Sequence, residues 1–76
     1  MIPRKDMKEA AKEWLRTNLA TIGQLEAWVI ENVEGYDWTN VHDPVADLVT
    51  ELAEARRVHL KQVRVAGLNT ILIRSM

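Results

Sequence analysis

The chain has 76 residues, of which 47% are apolar and 28% charged, with a net charge of −1 and no cysteine. A chain this short folds as one domain (residues 1–76) around one core, and its composition is not that of a disordered segment. The lack of Cys excludes disulfides, thiolate metal sites and a cysteine nucleophile, and no apolar run reaches the ~18 residues that span a bilayer.

Residues 1–6 lead straight into a charged amphipathic segment without a signal-peptide core, so a cytoplasmic protein is expected. Met7, Ala10, Ala11, Trp14, Leu15 and Leu19 then fall at helical spacing and predict a first helix with one apolar stripe. Asp6 is its expected N-cap, with Glu9 completing a capping box. Lys8, Lys12 and Arg16 make a basic row on the outer face of this helix.

Thr21-Ile22-Gly23-Gln24 reads as a T-x-x-Q capping box opening a second helix, whose apolar face is Leu25, Trp28, Val29 and Val33. Gly35 is the expected stop, and residues 36–42 read as a loop. Asp43-Pro44 predicts a third helix with Asp43 as N-cap and Pro44 at its first position. Val45, Leu48, Val49, Leu52 and Ala55 form its stripe, and Arg56 and Arg57 follow at its end.

The period then changes towards alternation. Residues 58–65 and 70–74 read as two strands, with 66–69 as the turn and with Val63, Val65, Ile71 and Ile73 on one face. The fold class expected is therefore mainly α, three helices followed by a C-terminal β-hairpin.

The charge is unevenly placed along this order. Residues 21–54 contain eight acids (Glu26, Glu31, Glu34, Asp37, Asp43, Asp47, Glu51, Glu54) and no base, whereas residues 55–76 contain five bases (Arg56, Arg57, Lys61, Arg64, Arg74) and no acid. Such asymmetry bears on partners more than net charge does.

Three stretches resemble a winged helix-turn-helix domain. Leu19–Leu25 resembles that family's short strand and the Thr-led start of its second helix. Residues 45–58, with Val45, Val49, Leu52 and Val58 as anchors, resemble its third helix and exit, and the hairpin resembles its wing. The resemblance implies DNA binding, with the third helix in the major groove and the wing on the backbone. This chain departs from the pattern at three points. Arg56 stands where many members have a glycine, the connection between helices two and three runs to about nine residues, and the wing tip carries no base.

The groove-facing side of the third helix would be Asp43, Ala46, Asp47, Thr50, Glu51 and Glu54. Duplex DNA carries one negative charge per ~1.7 Å of axis, so a reading head of carboxylates is repelled by it. The function expected is consequently a non-enzymatic interaction or regulatory module. It binds a protein partner with a basic surface through an acidic face of helices two and three, as a nucleic-acid mimic or a small phage-type inhibitor would. The residues assigned to that face are Asp43, Asp47, Glu51 and Glu54, with Tyr36, Trp38 and Leu68 as further contact points. Tyr36 and Trp38 either cover the core or stand out as aromatic anchors.

The alternative is a DNA-binding regulator that docks through Arg56, Arg57, Lys61, Arg64 and Arg74, joined by Lys8, Lys12 and Arg16. Association into a homodimer is a further expectation. No metal, cofactor or catalytic residue is expected. His42 near Asp37, Asp43 and Asp47 matches no ligand motif. The one serine, Ser75, is penultimate, and Gly23, Gly35 and Gly67 are too isolated to cradle a phosphate.

Overall fold

The computed structural model describes all 76 residues. Residues Arg4–Asp6 form a single 3-10 turn that runs into helix α1, Met7–Thr17. Met7, Ala11 and Leu15 are buried at four-residue spacing, with Ala10 and Trp14 half-buried beside them. Asp6 does not cap the helix as expected: it makes no side-chain cap bond and its φ and ψ are −98° and 8°. An N-cap carboxylate reaches the helix amides from extended backbone, and the preceding turn removes that geometry. Leu19 also leaves the expected stripe, because Asn18 is extended and ends the helix, which leaves Leu19 60% exposed.

Strand β1, Ala20–Thr21, leads into helix α2, Ile22–Asn32. Both halves of the expected capping box form. The Thr21 amide donates to Gln24 Oε1 at 2.9 Å, and the Gln24 amide donates to Thr21 Oγ1 at 3.2 Å. The helix stops three residues before Gly35, since Val33 is extended and forms a parallel bridge with Ile2. Gly35, at φ 84°, lies in the following turn, where an added Cβ would meet the Arg4 side chain at 3.2 Å.

Helices α1 and α2 end by the same device. Asn18 Nδ2 donates to the Trp14 carbonyl at 2.8 Å, and Asn32 Nδ2 donates to the Trp28 carbonyl at 2.9 Å. Each side-chain amide turns back to the carbonyl four residues earlier in its own helix.

Helix α3 spans His42–Glu54 and so starts one residue before the expected cap. Asp43 lies inside the first turn and accepts no cap bond; the N-cap is Val41, in helical conformation. Pro44 at the third helical position is tolerated because the first four amides need no intrahelical acceptor. Val45, Leu48, Val49 and Leu52 are buried.

The helix ends in a Schellman motif: the Arg57 amide bonds to Leu52 O at 2.9 Å and the Arg56 amide to Ala53 O at 3.0 Å. Arg56 takes the left-handed position at φ 56°, where glycine is usual.

Strands β2, Val58–Val65, and β3, Leu68–Ser75, form an antiparallel hairpin, and β1 pairs with the other side of β3 to give the order β1-β3-β2. The turn is tighter than expected, two residues (Ala66 and Gly67, both at positive φ), so Leu68 pairs with Val65 and already belongs to β3. That register puts Val63 opposite Thr70 and Ile73 opposite Leu60. Cross-strand partners share a face, so Val63 and Val65 lie opposite to Ile71 and Ile73, not with them as expected. The core face carries Ala20, Val58 and Ile73, all buried.

The core comprises 14 buried residues, every one apolar, contributed by the three helices, the α2–α3 connection and one sheet face. With two eight-residue strands the molecule is mixed α and β rather than mainly α, and its layout is compatible with a winged helix.

Candidate functional site

The buried stripe of α3 fixes what its other side presents. With Val45, Leu48, Val49 and Leu52 turned inward, Asp43, Ala46, Asp47, Thr50, Glu51 and Glu54 are all exposed. Asp43, Asp47, Glu51 and Glu54 follow one another at four, four and three residues, a single row along the helix. No Lys or Arg occurs anywhere in α3.

The row is largely unneutralised. Lys8 of α1 reaches Glu51 at 3.9 Å, with both side chains about half exposed, and a pair of that kind is worth at most ~1 kcal/mol. Asp43, Asp47 and Glu54 form no ion pair, and no base of the C-terminal hairpin meets an acid of the central block.

The remaining central acids do not join the row. Glu26 of α2 contacts the His42 ring at Nδ1, tying the start of α3 to α2. Glu31 lies about 140° further round α2 and borders a groove with Trp14 and Trp28. Asp37 is engaged in its own turn. Its carboxylate accepts the Thr39 hydroxyl and, at 2.8 Å, the Thr39 amide, and these bonds to the charged form lower its pKa below the ordinary 3.8. The acidic face is therefore a face of α3, with α2 contributing only Glu26 near its beginning.

The two loop aromatics take different roles. Tyr36 is half-buried against the core, with the Arg4 guanidinium 4.9 Å above its ring. Trp38 is 56% exposed and lies 6.2 Å from His42, so it stands free beside the first turn of α3. Leu68, 73% exposed, sits at the hairpin tip next to Val65.

The bases also divide. Lys12, Arg16, Arg56 and Arg57 line one groove, Arg16 and Arg74 the next, and Arg74 and Lys61 a third. Lys8 instead faces α3. Arg64 lies near the hairpin tip, where its Nε is 3.4 Å from the Gly67 carbonyl.

Sequence spacing gave no sign of the Arg4–Tyr36 and Glu26–His42 contacts, which join segments distant in the chain. No group of His, Asp and Glu has the arrangement of a metal site. No helix is long and apolar enough to cross a membrane. The chain matches no family model, no curated protein and no solved structure.

Proposed function

We propose that this chain is a winged-helix-like interaction module that uses the outer face of α3 to bind a protein with a cationic surface. The winged-helix reading is supported by the element order α1, β1, α2, α3, β2, β3 and by the strand order β1-β3-β2. One observation carries the choice of partner: the helix that such a domain would lay in the major groove presents four exposed carboxylates and no base. Over its three turns, about 16 Å, that row repels polyanions and attracts guanidinium and ammonium groups.

Trp38 supplies what a charge row alone lacks. It is a large, exposed aromatic at the head of the row, of the kind that anchors interfaces once desolvated. A partner groove lined by Arg and Lys with an apolar slot at one end would match both features, and a groove that otherwise receives nucleic acid has that character.

The test starts with capture of a partner from a lysate of the source cells, followed by affinity measurement on the purified pair. Substituting Asp47, Glu51 and Glu54 by Lys is expected to weaken the complex more than tenfold, and Trp38→Ala to weaken it independently of salt. Unchanged affinity in the triple variant would remove the reading.

A further inference from the structure

The cations that α3 lacks are collected elsewhere. The three basic grooves are contiguous: the first two share Leu15, Arg16 and Ser75, and the second and third share Leu19 and Arg74. Together they form a belt that starts at the α3–β2 junction, passes the C-terminal end of α1 and reaches the outer face of β2. Six cations line it (Lys12, Arg16, Arg56, Arg57, Lys61 and Arg74), with His59 at one end and no Asp or Glu among the lining residues.

The belt is free to bind. Arg56, Arg57, Lys61 and Arg74 enter no ion pair, while Lys12 and Arg16 meet only Glu9 and Glu13, exposed neighbours on the same helix. Gathering six like charges, four of them without any counter-charge, works against folding. Arg56 adds a second cost. A left-handed backbone at a residue with a Cβ is less stable than glycine there by roughly 1–2 kcal/mol, yet this position holds an arginine that lines the first groove.

We propose that the belt is a docking surface for the phosphate backbone of duplex DNA, with those six cations contacting phosphates and α3 left out of the contact. Four of the six are arginines, whose planar guanidinium matches phosphate oxygens in bidentate fashion. Thr17 and Ser75 line the middle groove and add neutral donors of the kind that orient a backbone without reading sequence. Single strands fit less well, because no Phe, Tyr or Trp lines the belt and His59, at one end, is the one ring on which an unstacked base could rest. The α3 row of a second copy fits less well too, since four carboxylates, one already facing Lys8, do not match six cations.

The experiment is a fluorescence-anisotropy titration of the whole chain on a mixed-sequence duplex of about 20 base pairs, from about 50 to 200 mM salt. Six contacts predict a loss of roughly 10³-fold in affinity over that range. Arg56→Gly is the decisive variant, because the Schellman position accepts glycine without strain. It is expected to make the salt slope shallower by about 0.9 while leaving the thermal midpoint unchanged or higher.

Arg16→Gln with Arg74→Gln is expected to make the slope shallower by about twice as much as Arg56→Gly does. Several results would overturn the proposal. These are no binding at 50 mM salt, slopes that none of the belt variants alters, or single strands bound as tightly as the duplex. A belt that on sedimentation proves to hold a second copy, with DNA binding unaffected by its variants, would do the same.

Discussion

Trp14 and Trp28 stack across the seam between α1 and α2, with ring centroids 5.2 Å apart and planes inclined by 17°. Neither ring is fully buried, and both pack on the edge of the core. Such pairs contribute about 0.5–1.5 kcal/mol beyond the area they bury. Either Trp→Ala substitution is expected to lower the unfolding free energy by about 2 kcal/mol in urea. A double-mutant cycle should return a coupling of about 1 kcal/mol. In far-ultraviolet circular dichroism the exciton couplet of the stacked indoles should vanish in both single variants.

The capping box at Thr21 holds the start of α2 through two reciprocal bonds. Thr21→Ala removes one acceptor and leaves the Gln24 amide without its partner, at a cost of about 1 kcal/mol. Thr21→Ser keeps the hydroxyl and should retain most of that stability. The denaturation midpoints of the two variants distinguish the cap from simple loss of side-chain volume.

Asp37 titrates below its ordinary 3.8 because the Thr39 hydroxyl, and then the Thr39 amide, bond to its charged form. A carboxyl whose pKa is lowered by folding contributes stability that is complete above its unfolded value and is lost as pH falls through its folded value. The contribution is therefore present near neutrality and disappears below about pH 3.8. In NMR titration the Asp37 carboxyl should show a midpoint below 3.8, and Thr39→Ala should move it back up. A midpoint unmoved by Thr39→Ala would refute the hydroxyl's role.

Ala66 occupies the first position of a two-residue hairpin turn at φ 51°, with Gly67 following at φ 80°. Positive φ at both central residues is the requirement of a type I′ turn, for which Asn-Gly is the favoured pair. Ala66→Asn is expected to stabilise the hairpin by about 0.5–1 kcal/mol, and Ala66→Val to destabilise it. Thermal midpoints of the two variants should move in opposite directions.

The parts of this fold that are legible in the sequence are those decided by neighbours in the chain. The Thr21–Gln24 cap, the α3 stripe of Val45, Leu48, Val49 and Leu52 and the existence of the hairpin all follow from local spacing, whereas Ala55, expected in that stripe, is the exposed C-cap because the helix ends before it. Asp6 and Asp43 look like caps by the same logic, but the backbone before each helix is already turned, and that depends on the Ile2 bridge and on the Asp37–Asn40 turn. The valines of β2 alternate as a strand should, yet their face is set by a two-residue turn that fixes register. A one-residue difference there exchanges the faces.

The same division runs through the candidate sites. The α3 row is legible because one helix carries all of it. Lys8 and Arg64, grouped with the other bases by sequence alone, fall outside the belt because its membership depends on which elements meet.

Strand β2 lies at the margin of its sheet, with one row of backbone amides and carbonyls that no strand of this chain occupies. An open margin of eight residues is a template on which a further chain can add, the first step of ordered aggregation. Lys61, midway along it, and Arg64, near the hairpin tip, are both exposed, and charged side chains on an edge strand keep approaching copies apart. Removing both should lower the protein concentration at which aggregation begins and make that onset less dependent on salt, whatever the protein binds. These two positions therefore carry a colloidal duty that would restrict their replacement even in a variant with no ligand at all.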